Sequence, residues 1–490
     1  MLFKKLIGEL TPLTTGGNLD RPVVGIAYDS RQVRPGFLFV AIKGMVTDGH
    51  AFIPDALERG ASALLVERTE ELHDIEAAWA AVPDTRKALG RVSARFFGFP
   101  ARGLHIAGVT GTNGKTTTTH LIAAVYRQRA RVGLIGTIHN LIGDRTLPVE
   151  RTTPESSDLQ QLLHQMVDEG VQRVAMEVSS HALALNRVEG CRFRAAVFTN
   201  LTQDHLDFHH DMSNYFQAKA SLFFRLDSKA ACVVNIDDPY GARLAQLLGD
   251  RAVTYGLNPG ATVRAVEPGI GPRGTEFTIE SEWARFPLAT RLVGQFNIYN
   301  ALAAAALGLA EGFTTDEIRD ALAGVSGVPG RFEPVYRGQD FGVIVDYAHT
   351  PDGLANVLRA ARQITMGRVI AVFGCGGDRD RTKRPVMGRI GADCSDLAII
   401  TSDNPRTEDP LAIIEQVEVG VREVKSSGYL VVPDRREAIG QAIAGARKGD
   451  IVVIAGKGHE DYQIIGQTKY PFDDRLVAAE KLTDEGYTLE

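Results

Sequence analysis

The residues best suited to chemistry lie between Leu104 and Thr119, in LHIAGVTGTNGKTTTT. An apolar run (Leu104, Ile106, Ala107, Val109) reads as a buried strand, Gly111-Thr112-Asn113-Gly114 as a tight turn, and Lys115-Thr116 as the opening of a helix with apolar spacing at Leu121, Ile122 and Val125. A strand, a Gly-rich turn and a helix N-terminus together make an anion cradle, because backbone N–H groups and the helix dipole both favour phosphate there. In that cradle Lys115 reaches the β- and γ-phosphates, the Thr116 hydroxyl faces Mg²⁺, and Thr117 follows in the first helical turn. The strict G-x-x-x-x-G-K-[ST] pattern asks for glycine where Val109 stands. The alternative is a glycine turn beside a solvated lysine, but the strand and helix context favours a nucleoside triphosphate. Phosphoryl transfer also needs metal ligands beside the loop. Glu177 and His205, each just past an apolar run, are the candidates. A structural histidine is the alternative for His205. Glu177 is harder to dismiss, since an unpaired buried carboxylate is costly and a nearby cation would relieve it.

Three α/β domains must position these groups, at 1–100, 101–328 and 329–490. In the first, strands at Val23–Ala27, Gly36–Ile42 and Ala63–Val66 alternate with helices at Phe52–Arg59 and Thr85–Phe97, and Gly98–Gly103 is a linker. In the second, strands at Val171–Val178 and Phe193–Thr199 end in Glu177-Val-Ser-Ser-His181 and Thr199-Asn-Leu-Thr-Gln-Asp204-His205. An open parallel sheet places such residues at its carboxyl edge, where ligands bind. Strands at Ala231–Asn235 and Ala252–Tyr255 continue the sheet, and Thr262–Ile279 alternates as antiparallel β. Helices follow at Asn297–Ala310 and Thr315–Val325, with Thr314 or Thr315 as cap. The third domain repeats strand and helix, with strands at Phe341–Asp346, Arg368–Phe373, Leu397–Thr401 and Ile451–Ala455, and reads as a doubly wound, Rossmann-like sheet. Its Gly374–Arg379 turn is not G-x-G-x-x-G, so a dinucleotide site is not expected.

Composition narrows the class. At 490 residues the chain is too long for one core, and 44% hydrophobic with 23% charged residues is ordinary for globular proteins. A net charge of −6 gives no electrostatic reason to expect nucleic acid or an anionic membrane. The four cysteines, Cys191, Cys232, Cys375 and Cys394, show no C-x-x-C spacing, so neither zinc nor a disulfide framework is indicated. No apolar run reaches the ~18 residues of a spanning helix, and the N-terminus is too interrupted for a signal peptide. The expectation is a cytoplasmic protein without membrane insertion.

GTNGKTT, EVSSHAL, TNLTQDHLDFH, GQFNIYN, GRFE, DYAHTP, GCGGDRDRTKRP, DNPRTEDP and GKGHEDYQ occur in this order across most of the chain. The ordered set resembles the Mur ligase family, whose valine-type residue before the turn accounts for Val109. The resemblance implies three domains: an N-terminal UDP-binding domain, a central P-loop ATPase-like domain, and a C-terminal Rossmann-like domain for the incoming amino acid. It also implies an ATP-dependent ligase of peptidoglycan synthesis. Such an enzyme phosphorylates a carboxylate of a UDP-N-acetylmuramoyl-dipeptide, then lets an amine displace phosphate from the acyl phosphate, with Lys115 and two Mg²⁺ meeting the negative charge.

By the same resemblance Thr116 and Glu177 hold one metal and His205 helps hold the other. Lys219, in Tyr215-Phe-Gln-Ala-Lys219, matches a lysine that CO₂ carbamylates into a metal ligand; its residues alone read as a solvated helix lysine. Asn297, Arg331, Asp346 and His349 match ATP contacts. Tyr28, Ser30, Thr152, Thr153, Ser179 and Arg187 match contacts to the UDP-linked substrate. Met45-Val46 stands where relatives carry His-Gln, and Leu185 where they carry Gln, so no contact is carried over onto those positions. Asp403, Asn404, Pro405 and Arg406, with Arg379, Gly456 and Glu460, match the site for meso-diaminopimelate. Arg406 would pair bidentately with the carboxylate that distinguishes this amino acid from lysine; a surface salt bridge to Glu408 or Asp409 is the alternative. The protein is expected to act as a monomer on these small molecules.

Overall fold

The computed structural model describes residues 1–44, 47–70, 72 and 75–488, so Met45 and Val46 lie outside the described residues. Contacts gather the chain into two compact units, one of residues 1–108, 129–196 and 218–230, the other of 109–128, 197–217 and 231–490.

The first unit holds a five-stranded sheet in the order Thr14–Gly16, Ala78–Ala81, Ala63–Val66, Phe37–Val40, Gly25–Ala27. Only the first pair is antiparallel. Successive side chains of a strand face opposite ways. Leu38 and Val40 therefore pack with Leu89 and Val92 of the helix Thr85–Phe96, while Phe39 and Ala41 pack with Ile53 and Ala56. Asp84 caps that helix, accepting the Lys87 N–H. The same unit pairs Arg173–Glu177 in parallel with Val132–Ile135, which continues antiparallel through the short strands Asn140–Ile142 and Arg145–Leu147. These last three strands have no counterpart in the sequence reading. The expected linker at 98–103 contains a 3-10 turn, Pro100–Arg102.

His105–Thr110 and Phe193–Phe198 are neighbours in an eleven-stranded sheet, and the chain passes along both from the first unit into the second. Their carboxyl ends, with the phosphate loop and Thr199-Asn200, belong to the second unit. There Ala231–Asn235, Ala252–Gly256 and Val263–Gly271 run parallel, and Gly274–Ser281 and Arg285–Thr290 fold back antiparallel. Helix Gln295–Ala310 starts two residues earlier than its periodicity predicts. Ala301–Leu307 is buried on every side, as an all-apolar helix must be. Thr314 and Glu317 form a capping box at the start of Thr315–Gly324.

The second unit ends in a six-stranded sheet, ordered Glu333–Pro334, Gly342–Asp346, Ile451–Ala455, Val369–Phe373, Leu397–Ile400, Tyr429–Val431. All but the first pair are parallel. One face (Ile344, Ala371, Phe373, Val453) packs with Leu354, Leu358, Met387 and Val417; the other (Val343, Val345, Ile370, Val372) packs with Ile439, Ala442 and Val477. Helices on both faces make the doubly wound fold that the sequence predicts. The turns at Asp346, Gly374 and Gly456 follow strand ends, at the ligand-binding edge of such sheets.

One buried ion pair pins this sheet from behind. Arg435 and Asp474 are both fully buried, with Nε and Nη2 donating to the carboxylate at 2.8 and 2.7 Å and Nη2 also to Ala455 O at 3.0 Å. Breaking such a pair leaves an uncompensated charge. Asp474→Ala should cost about 3–5 kcal/mol in urea unfolding, whereas a joint apolar replacement should cost much less. Among the described residues no helix is long and apolar enough to cross a membrane.

Candidate active site

Two glycines set the phosphate loop. Gly111 (φ +150°) and Gly114 (φ +83°) adopt backbones that side chains disfavour. A Cβ on Gly111 would lie 1.8 Å from Thr199 Oγ1, and one on Gly114 2.5 Å from Asn300 Oδ1. The strand end Thr199-Asn200 moulds the turn: Thr112 N–H donates to Asn200 O (2.9 Å), Asn113 N–H to Asn200 Oδ1 (2.9 Å), and Thr199 Oγ1 to Asn113 O (2.6 Å). Helix Lys115–Arg127 starts at Gly114 with no side-chain cap. The N-terminus of a helix favours an anion through its dipole. Lys115 Nζ folds back across the turn, donating to Gly111 O (3.0 Å) and Thr112 O (2.7 Å). The Thr116 hydroxyl accepts from Arg331 Nη2 at 3.0 Å.

Arg331 arrives from far along the chain, as does Asp352, whose Oδ2 accepts from Asn113 Nδ2 at 2.7 Å. Arg331, Asn297, Val293, Phe332 and Ile344 line a cavity of about 440 Å³, within the size range of small-molecule sites. Asn297 is held by Val293 O (2.9 Å) and linked through Asn300 (2.9 Å) to Thr118 (3.2 Å), which couples the cavity wall to the loop helix. Asp346 accepts the Phe332 N–H at 2.6 Å. Burial raises its pKa and Arg331 opposes the rise.

His205 carries φ +54° and opens the short helix Leu206–His209. A non-glycine residue held there stores strain of a kind that gathers at functional sites. Its Nε2 lies 3.3 Å from Asp204 Oδ2. Asp204 is buried, yet His205, Lys383 and His349 draw its carboxyl down to about 2. Burial, reinforced by Lys383, pushes His349 down to about 4. His349 Nδ1 lies 2.8 Å from Tyr347 O, and a carbonyl only accepts, so Nδ1 carries the proton and Nε2 the lone pair. Asp204, Lys383, Asn200 and Asp352 are not among the candidate residues read from sequence, although Asn200, Asp204 and Lys383 sit inside two of the ordered motifs.

A cluster of charged side chains is assembled from three strand-end turns of the six-stranded sheet, after Phe373, Ile400 and Ala455. Arg406 is not the surface salt bridge that its neighbours Glu408 and Asp409 allow. Glu408 instead pairs with the fully buried Arg384 (2.9 Å) and with Arg381 (3.1 Å). Arg406 Nη1 donates to Gly377 O at 2.7 Å, its backbone is left-handed (φ +52°), and its N–H donates to Ile464 O of the hairpin Tyr462–Ile465/Thr468–Pro471. Burial lowers its pKa, and Arg379 lowers it further. Arg379 itself donates to Asp378 O at 2.8 Å. Opposite charge stands nearby. Asn404 Nδ2 donates to Glu460 Oε2 (2.9 Å), and the buried Lys457 donates to both Asn404 Oδ1 (3.2 Å) and Glu460 Oε2 (3.1 Å). Burial, then Asp403, raises the Glu460 pKa. Gly456 (φ +124°) lets Asp403 approach, since a Cβ there would lie 2.5 Å from Asp403 Oδ2. Pro405 O approaches Gly377 more closely still, 1.9 Å from where a Cβ would stand. Paired guanidiniums beside paired carboxylates suit a ligand that carries both carboxylate and ammonium.

In the first unit Glu177 ends its strand fully buried. Its carboxylate, for which the sequence reading turned to a nearby cation, has hydrogen-bond donors of its own: Thr137 N–H donates to Oε1 at 2.7 Å, and the Thr137 hydroxyl lies 3.1 Å from Oε2 and from Thr152 Oγ1. Thr153 Oγ1 donates to Glu177 O (2.9 Å) and accepts from Ser179 N–H (3.1 Å). Arg187 Nη1 donates to Thr153 O at 3.4 Å. Tyr28 Oη donates to Asp158 Oδ2 at 2.8 Å, and the buried Ser30 bonds Asp55. Lys219 lies in helix Met212–Phe224 with 1% exposure, which overturns the solvated reading of its sequence.

Comparison with known proteins agrees with this geometry. Residues 22–97 match the Mur ligase family catalytic domain, 109–308 the Mur ligase middle domain, and 330–458 the Mur ligase glutamate ligase domain. The chain is 48% identical to the UDP-N-acetylmuramoyl-L-alanyl-D-glutamate–2,6-diaminopimelate ligase of Geobacter metallireducens over 98% of both chains. It is 50% identical to that of Gloeobacter violaceus over 96% of each. A solved structure of a ligase of the same description aligns over 100% of both chains with a TM-score of 0.69 and 34% identity. The chain belongs to the Mur ligase family.

Proposed function

We propose that this protein is the ATP-dependent ligase that adds 2,6-diaminopimelate, in its meso form, to UDP-N-acetylmuramoyl-L-alanyl-D-glutamate in peptidoglycan synthesis. The observation that carries the choice of amino acid is Arg406, half-buried beside Arg379 and set against Asp403 and Glu460. We assign residues 1–100 to the UDP end of the substrate, 101–328 to ATP and 329–490 to the amino acid. ATP phosphates take the Gly111–Thr117 loop, where Lys115 exchanges two carbonyl partners for phosphate oxygens. The nucleoside takes the cavity of Asn297 and Arg331, with Asp346 and His349 at its edge. Tyr28, Ser30, Thr152, Thr153, Ser179 and Arg187 receive the UDP-linked dipeptide.

Mg²⁺ takes oxygen ligands and shares them with substrate phosphates. The Thr116 hydroxyl and the Glu177 carboxylate are donors of that kind, and we assign them, with His205 and a carbamylated Lys219, to two ions. Bound there, Mg²⁺ would neutralise charge on the phosphoryl group in transfer. The chain's own part is to hold the acid and the amine in line, to meet the oxyanion with Lys115, and to close over the acyl phosphate so that the amine and not water displaces phosphate. The reaction uses cytoplasmic substrates, and we assign it to the monomer.

Incubation with the UDP-dipeptide, ATP and single amino acids, followed by ADP release and product mass, tests the reading. Turnover with lysine but not diaminopimelate would reject the assignment. ATP hydrolysis indifferent to amino acid would point to a nucleotide switch, and glutamate addition to a folate to the related polyglutamylating ligases. Lys115→Ala should keep its melting temperature yet lose turnover by roughly 10²–10³-fold, the scale of one oxyanion donor.

A further inference from the structure

Glu155 caps the helix Ser156–Asp168 through Ser156 N–H and is 3% exposed. Its Oε2 lies 3.3 Å from Arg86 Nη1 and 3.3 Å from Arg187 Nε. Arg86 gives its Nε–H to Lys43 O at 3.2 Å, which leaves its outer edge only partly used. The buried Arg187 Nε–H makes no hydrogen bond despite the short approach to Glu155. Arg151 acts on the same group. Arg187 is lowered from its ordinary pKa first by burial, then by Arg151 and Arg86, with only Glu155 opposing. Two guanidiniums thus share one carboxylate, and Arg151 adds positive field at Arg187. The next acid along the helix, Asp158, is turned to Tyr28, whose Oη donates to its Oδ2 at 2.8 Å. A half-buried excess of positive charge calls for an anion. Thr153 and Ser179, already assigned to the peptide end of the UDP-linked substrate, are the neighbours of Arg187.

That substrate ends in glutamate, with two carboxylates. One is activated by ATP and the other stays ionised throughout. We propose that Arg86, together with Arg187, clamps the carboxylate that is not activated, making Arg86 a substrate-binding residue that fixes which acid is presented to the phosphate. The clamp rests on the ligase reading above. Its chemistry is charge-assisted and bidentate, the pairing for which guanidinium is suited.

The experiment compares wild type with Arg86→Met, which keeps the packed stem, in the full ligation reaction. KM for the UDP-dipeptide should rise by about tenfold or more in Arg86→Met, with kcat and the KM for ATP within about twofold. An analogue with the non-reacting carboxyl converted to carboxamide should show the same KM with both proteins. UDP alone should bind both alike. Absence of turnover in wild type would reject the ligase reading itself. With wild type active, an unchanged KM would overturn the clamp. So would a penalty that persists with the carboxamide, or an equal weakening of UDP, which would place Arg86 at the diphosphate. A fallen melting temperature with the carboxamide KM still matched to wild type would leave the clamp standing, because a folding defect would not follow the charge of one substrate group.

Discussion

Arg406→Ala should erase the preference for diaminopimelate over lysine. The two amino acids differ by one carboxylate. A site that hydrogen-bonds a substrate group rejects the analogue lacking it by roughly 10⁴–10⁵-fold, because its own polar groups are left buried and unpaired. Arg406 meets the conditions for that penalty. Burial already lowers its pKa, Arg379 repels it, and among the described residues its side chain donates to the neutral Gly377 O. Lysine in the pocket would leave that guanidinium without an anion, and diaminopimelate supplies one. Removing the side chain removes both the reward and the penalty. The ratio of kcat/KM for the two amino acids should fall to within about tenfold, mostly through loss of diaminopimelate, while the KM for the UDP-dipeptide stays put. Arg406→Lys should behave almost as poorly, since a point charge cannot reproduce a planar fork. A variant that still discriminates by several orders of magnitude would place selection elsewhere and remove the argument for the amino acid. The backbone offers a control. Arg406 sits at φ +52°, so Arg406→Gly relieves strain and should fold at least as well while discriminating no better than alanine.

Local pattern made part of this site legible. The phosphate loop announces itself because glycines, lysine and threonine must be adjacent in sequence to wrap one anion, and the strand before it is apolar on both faces. Glu177 and His205 are visible for a related reason: a polar residue that ends a buried run of a parallel sheet sits at its ligand edge. The limits of the reading are equally physical. Asn113 and Asp352 are 239 residues apart, and no local spacing encodes their hydrogen bond. Arg384 reads as one more basic residue in a charged turn, yet it is wholly buried and takes Glu408 away from Arg406, so the neighbour in sequence was the wrong partner. Glu155 looks like a helix cap and is one, but its second oxygen serves two arginines from distant elements. The strands Asn140–Ile142 and Arg145–Leu147 are three residues each, too short for a period to show.

Lys219 is the sharpest case of burial deciding a residue's chemistry. Its sequence reads as a solvated helix lysine, yet the side chain is 1% exposed. A lysine enclosed in that way invites the question of which form it takes. Only the neutral amine attacks CO₂. The amine nitrogen forms a bond to carbon, one C=O electron pair moves to oxygen, and a proton leaves, giving a carbamate with the charge and hard oxygens that a magnesium ligand needs. Lys219→Ala should therefore lose ligation by roughly three orders of magnitude or more, the scale of several kcal/mol of charge stabilisation at the transferred phosphoryl group. Formate or acetate should restore part of it by filling the space left by the truncated side chain. Lys219→Met separates chemistry from packing. It keeps the stem and fills the space, so it should stay folded in thermal unfolding, yet it should be as inactive as alanine and beyond rescue. Removing bicarbonate and CO₂ from wild type should lower turnover reversibly and lower the intact mass by one CO₂ per chain. Wild-type turnover in unsupplemented Lys219→Ala would end the carbamate assignment, and so would an inactive but folded Lys219→Ala that no short carboxylate revives. In either outcome Thr116, Glu177 and His205 would have to serve both ions without a fourth ligand from this helix.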